Sequence, residues 1–324
     1  MSQRTPAASA VALCLILVLP ACSRFASDPE SSDTPAAAAR MLGSAPADGM
    51  WPDGRRLGAG RGFYPLAVGN RWVYDIRFRT TLITPGGPQP TVETTTPWTV
   101  EIIGERVENE HRYFMLAEYD PRIVGPQVPF RVRQDRSGYY SSDAITTASP
   151  AARSAPAMPS ALQANVEQAL AGAPHAAAFR RATETLAIRL ATLTNAGAAA
   201  MRPVPGGPEP GETAQLRYPL RMGARWVVRE SPLFERVVVG LQPLRLPAGM
   251  FPAWRLRQTS ELFGPDDSAQ LWYSRSGLLR IAFRGKADAT DEAGNIVGQV
   301  IIEQDQVLST LRLVDPDDPR PAKH

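Results

Sequence analysis

The chain has 324 residues, which is enough for one or two domains with sizeable hydrophobic cores. Lysine and arginine total 35 against 32 aspartates and glutamates, so the formal net charge is only +3. The basic residues are scattered among acids rather than grouped in a block, and this excludes the charge pattern typical of nucleic-acid-binding proteins. With 44% hydrophobic residues, the composition is that of a globular protein and not of a membrane-spanning one.

Residues 1–21 are predicted to be a signal peptide. Arg4 supplies a positive charge, and Ala7–Leu19 is an apolar run too short to cross a bilayer. The run closes on Leu19-Pro20-Ala21-Cys22, a tetrapeptide that resembles the lipobox of bacterial lipoproteins. The resemblance implies that Cys22 is the first mature residue and the lipid-attachment site, with a diacylglycerol on its thiol and a further acyl chain such as palmitate on its amine. An ordinary signal peptide cleaved after Ala21, with Cys22 incidental, fits the same residues.

Residues 22–61 are predicted to be a flexible tether that holds the folded part off the bilayer. The segment is rich in Ser, Asp, Pro, Ala and Gly and shows little periodicity.

Two or three acyl chains hold a protein on a membrane far more firmly than a single chain does. Cys22 is followed by Ser23 and not by Asp. By resemblance to the sorting of enterobacterial lipoproteins, this favours the outer membrane, with the protein facing the periplasm or the cell surface.

A ten-residue block occurs twice in the chain. Tyr64–Val73 and Tyr218–Val227 are identical at seven of the ten positions, including Tyr, Pro, Gly and Trp. Two shorter motifs recur in the same order, and the changed spacing between them indicates loops of altered length. The shorter motifs are Ile102-Ile103-Gly104 with Val238-Val239-Gly240, and Arg136-Ser137-Gly138 with Arg275-Ser276-Gly277. The sequence therefore predicts a duplicated unit, with β repeat 1 over residues 62–143 and β repeat 2 over residues 213–314.

The blocks predict strands. Proline places the residue before it in an extended conformation, and Gly69 and Gly223 permit a tight turn just before the tryptophan. From Trp72 to Phe78 apolar and polar residues then alternate, which is the pattern of a strand with one buried face. The predicted fold class is mainly β, with two homologous curved antiparallel sheets and an inserted α-helical segment. Trp72 and Trp226 are predicted to anchor the two cores, with a ligand-stacking platform as the alternative.

Residues 144–212 are predicted to form the helical insertion and a linker. Ser160 is a helix N-cap candidate, and a second helix is predicted from about Pro174 to Asn195. Each helix has one apolar stripe, formed by Leu162, Val166, Ala169 and Leu170 in the first and by Phe179, Leu186, Leu190 and Leu193 in the second. The helices are predicted to pack on a sheet face, and a gate over a ligand cavity is the alternative. Residues 315–324 form a polar tail.

Motifs for catalysis, metal binding and cofactor binding are missing from the sequence. The two Arg-Ser-Gly segments lack the first glycine of a nucleophile elbow and are predicted to be turns. The three histidines, His111, His175 and His324, are isolated from one another in sequence. Asp266-Asp267 and Asp291-Glu292 are predicted to lie in solvated turns, with calcium binding as the alternative. We therefore expect no enzyme activity, no metal and no cofactor.

The repeated Tyr-Pro-Leu-x-x-Gly-x-x-Trp-Val block, together with the lipobox, resembles a motif of uncharacterised β-rich lipoproteins and secreted proteins of bacteria. A looser analogy links the fold to lipoprotein carriers and receptors, in which a curved sheet wraps an apolar cavity. The resemblance implies a lipid-anchored cell-envelope protein with a non-enzymatic binding or assembly role at the outer membrane. Its partners would be the membrane, through Cys22, and an envelope protein or an apolar ligand, but no nucleic acid. The alternatives are a carrier of an apolar ligand or lipid, and an envelope hydrolase with an unrecognised site.

Overall fold

The structure of the chain is a computed structural model that describes residues 64–119, 127–143, 160–194, 209, 212–230 and 232–314. The predictions for the signal peptide, Cys22, the tether, His324 and the tail lie outside the described residues. Thirteen strands and two helices lie within them. The strands are β1 (Arg71–Thr84), β2 (Gly87–Pro88), β3 (Val92–Glu108), β4 (His111–Tyr119), β5 (Gln127–Gln134), β6 (Gly138–Asp143), β7 (Thr213–Arg217), β8 (Arg225–Glu230), β9 (Leu233–Leu246), β10 (Gly249–Ser260), β11 (Ser268–Ser274), β12 (Gly277–Thr290) and β13 (Ile296–Arg312). The helices are α1 (Ser160–Leu170) and α2 (Ala176–Thr194).

All the strands belong to one curved antiparallel sheet that is nearly closed on itself. The strand order is β7-β6-β5-β4-β3-β1-β13-β12-β11-β10-β9-β8, with β2 beside the end of β1. The prediction of a mainly β fold with a helical insertion is confirmed. The two predicted sheets are continuous, because the first long strand pairs with the last one over 13 residue pairs, from Arg71 with Arg312 to Ile83 with Gln299.

The two copies of the block have the same local structure. Both glycines have a positive φ, 92° for Gly69 and 80° for Gly223, which an L side chain rarely adopts. In each copy, the glycine and the residue after it exchange backbone hydrogen bonds with one residue of the neighbouring strand. These bonds are Gly69 N to Ile102 O (2.7 Å) and Ile102 N to Asn70 O (2.9 Å), and Gly223 N to Val238 O (2.9 Å) and Val238 N to Ala224 O (2.9 Å).

The shorter repeated motifs also have a structural explanation. Ile103 is skipped in the pairing of β3 with β4, so it forms a β-bulge, and Val239 is skipped in the same way between β9 and β10. The Ile-Ile-Gly and Val-Val-Gly motifs therefore mark a bulge at the same place in both halves. The two Arg-Ser-Gly segments form the turns before β6 and β12, which confirms the prediction of turns.

The two junctions between the halves differ in kind. β1 and β13 are joined by a backbone ladder, whereas no ladder joins β7 to β8 among the described residues. Side chains bridge this second junction: Trp226 donates its indole N–H to Ala214 O at 3.1 Å, and Arg236 donates to Gln215 O at 2.6 Å. Two carbonyls on the free edge of β7 thus receive side-chain donors in place of strand partners.

Both helices pack on the inner face of the sheet, which we define as the face that carries buried Trp72, Tyr74 and Phe78 of β1. α1 contacts β1 and β3, and α2 contacts β12 and β13. Gly285 and Gly298 make room for α2, since a methyl group on either glycine would collide with Leu186 or Phe179, respectively. The predicted apolar stripes face this sheet: Ala169 is partly buried, and the other members are buried, namely Leu162, Val166, Leu170, Phe179, Leu186, Leu190 and Leu193. Neither helix in the described residues is long and apolar enough to span a membrane.

Candidate functional site

An aromatic cluster fills the interior where β1 begins. The rings of Tyr64 and Tyr139 are stacked with centroids 4.7 Å apart, and the ring of Trp72 lies 5.1 Å from that of Tyr64. Trp72 is fully buried and donates its indole N–H to Ser276 O at 2.7 Å, on the turn between β11 and β12. Gly277 allows this approach, because a methyl group there would press on Tyr64 and Trp72. The block of the first repeat is therefore locked onto the Arg-Ser-Gly turn of the second.

The reciprocal contact joins the second block to the first repeat. Tyr218 donates its backbone N–H to Ser137 O at 2.9 Å and its hydroxyl to Gln134 Oε1 at 2.8 Å. The same Gln134 Oε1 accepts the backbone N–H of Tyr64 at 3.0 Å. Trp226 is buried like Trp72, and both indole N–H groups bond to backbone carbonyls, so the core-anchor interpretation of the two tryptophans is confirmed.

A polar band crosses the middle of the apolar interior. Gln304 and Gln306 of β13 point to the inner face and are only 5% and 6% exposed, and no hydrogen bond joins either side-chain amide to another described residue. Gln304 lies between Phe78 and Phe283 in the sheet, and Gln306 lies between Ile76 and Ile281. Buried amides normally find a partner, so this band is suited to hold water or the polar part of a ligand.

Arg236 of β9 is a fully buried cation. Its guanidinium donates to Gln258 Oε1 at 3.0 Å and to Gln215 Oε1 at 2.8 Å, in addition to Gln215 O, while Nη2 has no hydrogen-bond partner. Burial lowers the pKa of Arg236, whereas its interaction with the Tyr273 hydroxyl favours the charged form. The groups around Arg236 are amides and a phenol, none of them a carboxylate. Its bonds to Gln215 join β9 to β7, on the far side of β8.

Glu118 near the end of β4 is a partly buried residue whose carboxyl group has a strongly raised pKa. Burial raises its pKa to about 7, and its charge in turn disfavours ionisation of Tyr64. The predicted hydrolase alternative needs a second carboxyl group beside such a residue. The ionisable group that interacts with Glu118 is instead the hydroxyl of Tyr64, whose own pKa is raised by burial.

A second charged cluster lies where Glu212, just before β7, meets β4 and β5. Glu212 accepts a bidentate pair of bonds from Arg133, with the shortest distance 2.7 Å, and both side chains are almost fully buried. It also accepts the Tyr113 hydroxyl at 2.8 Å and the Glu209 backbone N–H at 2.8 Å. Burial, and then the bond to Glu212, raises the pKa of Tyr113 to about 12. Arg133 also stacks over the Tyr140 ring, with its guanidinium carbon 4.3 Å from the ring centroid.

The acidic pairs and histidines singled out in the sequence do not converge on one site. Asp267 contradicts the prediction of a solvated turn: its side chain is fully buried and accepts bonds from Arg189 at 2.7 Å and from two backbone N–H groups. Asp291 caps its own turn by accepting the backbone N–H of Asn295 at 2.8 Å. His111 lies 3.3 Å from Glu209, and His175 immediately precedes α2. No group of three potential metal ligands forms within the residues that the structure describes.

Sequence reasoning missed Glu118, Arg236, Gln304 and Gln306, although a signal exists for each. Every one of them occupies the apolar phase of an alternating strand, where a polar residue is unexpected. Gln304 and Gln306, for example, continue the buried series of Val300 and Ile302 in β13. Polar residues in the buried phase of a predicted strand are therefore the pattern that reveals this interior.

No family model matches the chain, and no curated protein matches it. Six chains of solved structures match it, and two of them are the following. One is a "putative lipoprotein" from Parabacteroides distasonis, with 9% identity, a TM-score of 0.29 and coverage of 77% of this chain and 98% of that one. The other is a "putative exported protein" with a YmcC-like fold from Bacteroides fragilis, with 11% identity, a TM-score of 0.31 and coverage of 78% and 99%. Both TM-scores are below 0.5, so neither likeness bears on the function of this chain.

Proposed function

We propose that the protein is a lipid-anchored component of the bacterial cell envelope that acts by binding or assembly at the outer membrane and not by catalysis. The proposal rests on one observation: the buried charged side chains bond to one another or to amides of the scaffold. Arg133 with Glu212, Arg189 with Asp267, and Arg236 with its two amides each join separate elements of the fold. Within the described residues these groups hold the scaffold together, and the lipobox at Leu19–Cys22 supplies the anchor.

The anchor is tested with the full-length protein and a Cys22→Ala variant. We expect the wild-type protein to begin at Cys22, to carry the mass of two or three acyl chains and to fractionate with the outer membrane. The variant lacks the thiol that accepts the diacylglycerol, so it should remain unprocessed and leave the outer-membrane fraction. The measurements are intact mass and density fractionation of membranes. An unmodified, soluble wild-type protein would contradict the anchor and the proposed location together.

The non-enzymatic role has its own test. The purified protein is assayed against glycan, ester and peptide substrates beside a Glu118→Gln variant, because the carboxyl group of Glu118 has a pKa near neutrality. We expect no turnover from either protein. Turnover by the wild-type protein that disappears in the variant would overturn the binding role and support the hydrolase alternative.

A second function, carriage of an apolar ligand, is favoured by one specific observation. The side chains of Gln304 and Gln306 are buried, form no hydrogen bond to another described side chain, and lie between aromatic and aliphatic residues of β1 and β12. A ligand with an apolar body and a polar group would satisfy both features. Organic extraction and mass spectrometry of the purified protein should then release a lipid-like molecule. Extracts that contain no such molecule, together with ordered water bonded to both amides, would remove this candidate.

A further inference from the structure

The antiparallel sheet has two chemically different ends. Because neighbouring strands alternate in direction, β1, β4, β6, β8, β10 and β12 all begin at one end of the sheet. Tyr64, the first described residue, leads into β1 at this end, so the chain from Cys22 joins the fold there. We call it the tether end. The helices lie towards the opposite end, since α2 packs on Gly285 late in β12 and on Gly298 early in β13.

The tether end carries exposed arginines that have no salt bridge within the described residues. Arg71 lies directly opposite Arg312 across β1 and β13, where like charges repel each other, and opposite Glu101 across β1 and β3. Glu110 is the exposed acid of this end that has no salt bridge to a described residue. The exposed, unbridged arginines are Arg71, Arg136, Arg221, Arg225, Arg245, Arg275 and Arg312. Such a surface is suited to bind anions.

The loops at the opposite end are acidic. The bases that accompany them in the described part of the chain are Lys286, which is paired with Asp266 at 3.1 Å, Arg229 at the end of β8, and Arg181 of α2, which donates to Thr290 O at 2.9 Å. The acids of these loops and of the adjoining strand ends are Glu230, Glu261, Asp266, Asp288, Asp291 and Glu292. The small net charge of +3 therefore conceals a protein with a basic end and an acidic end.

Exposed apolar side chains accompany the arginines. Val68 and Met222 occupy the same position in the two repeated blocks, just before the turn glycines, and are 44% and 78% exposed. Val107 and Met250 lie at the tips of the hairpins β3–β4 and β9–β10 and are 69% and 49% exposed. The opposite end also has an exposed apolar residue, Ile296, so the charge is what distinguishes the two ends.

The sequence on either side of the described fold is rich in charged residues. Arg55, Arg56 and Arg61 precede Tyr64 closely in sequence, and Asp315, Asp317 and Asp318 follow Val314. Basic residues next to exposed aliphatic side chains are the combination that binds the surface of an anionic bilayer. The acidic opposite end would be repelled by the same surface.

We propose that the tether end is a docking surface for an anionic bilayer, so that the protein stands on its arginine-bearing end and presents its acidic end away from the membrane. The proposal rests on the lipid-anchored function, because acylation at Cys22 would bring this end within reach of the bilayer through the flexible segment 22–61. Contact is expected to depend on anionic lipid and to weaken with salt, since exposed charges are screened over about 8 Å at physiological ionic strength.

The test places one label at each end of the acylated full-length protein. After processing, Cys14 is removed and the Cys22 thiol is occupied, so an introduced cysteine is the one free thiol. Met222→Cys reports on the tether end, and Ile296→Cys is the matched control at the opposite end. Each variant carries an environment-sensitive fluorophore in vesicles of equal parts phosphatidylcholine and phosphatidylglycerol. A spin-labelled lipid should quench the Met222→Cys label at least about twofold more than the control.

The difference between the labels should disappear in pure phosphatidylcholine vesicles and on combining Arg221→Gln, Arg225→Gln and Arg275→Gln. Equal quenching on anionic vesicles would overturn the proposal, as would a difference that persists on neutral ones. Intact mass shows separately whether the chain is acylated. If the chain is not acylated, the same labels in a chain that begins at Ser23 and so lacks both native cysteines, added to preformed vesicles, test the tether end alone. Binding to anionic vesicles is then the expected result, and no binding would refute the docking surface.

Discussion

Replacing Trp72 with alanine should lower the free energy of unfolding by about 3–5 kcal/mol, the usual loss for a large buried aromatic side chain. Trp72 is fully buried, contacts Tyr64 and donates its indole N–H to Ser276 O of the second repeat. The substitution leaves a cavity and an unpaired buried carbonyl at the point where the two halves meet. Urea denaturation of the wild-type and Trp72→Ala proteins, followed by circular dichroism, measures the difference.

Trp72→Phe is the matched control, because it keeps an aromatic ring and loses the hydrogen bond. It should cost less than Trp72→Ala, with about 1 kcal/mol from the lost bond and a further amount from the smaller ring. A Trp72→Ala protein as stable as the wild type would contradict the core-anchor interpretation. That outcome would favour the alternative prediction that Trp72 is a platform on which a ligand stacks.

Replacing Glu212 with alanine should lower the free energy of unfolding by a similar amount, about 3–5 kcal/mol. The substitution strands Arg133 without its bidentate partner in an almost fully buried position and leaves the Tyr113 hydroxyl and the Glu209 N–H without their acceptor. Desolvation of the buried guanidinium, which keeps Asp135 as its charged partner, is the main cost. The same denaturation experiment measures it.

Two comparisons make the Glu212 experiment specific. Glu167→Ala removes the partner of Arg180 on the exposed surface of the helices, where water screens the charges, so it should have little measurable effect. The double variant Arg133→Met with Glu212→Leu removes both buried charges and should recover much of the stability lost in Glu212→Ala. Equal losses from the Glu212 and Glu167 variants would show that burial does not strengthen the Arg133–Glu212 interaction.

The local elements of this fold are predictable because they depend on residues close in sequence. The alternation from Trp72 to Phe78 predicts both the strand and its buried face, and the stripe from Phe179 to Leu193 predicts the helix and the side that packs on the sheet. The positive φ of Gly69 and Gly223 explains why the turn before each tryptophan uses glycine.

The candidate site was less predictable, because burial of a polar group depends on distant neighbours. Asp267 looks like part of a solvated acidic turn in the sequence, yet α2 brings Arg189 to it from 78 positions earlier. The pKa of Glu118 is raised because the fold around β4 removes much of the water from its carboxyl group. Arg236 finds its acceptors on β7 and β10, which no local pattern brings together.

By itself, the sequence determined the signal peptide and lipobox predictions, the duplicated blocks, the strands and the two amphipathic helices. These follow from short-range conformational preferences and from periodicity. Only the tertiary structure decided that β1 pairs with β13, that side chains bridge β7 and β8, and that scattered charges separate into a basic and an acidic end. The physical reason is that the direction and neighbours of every strand in an antiparallel sheet decide which turns share an end, and they are set by the packing of the whole chain.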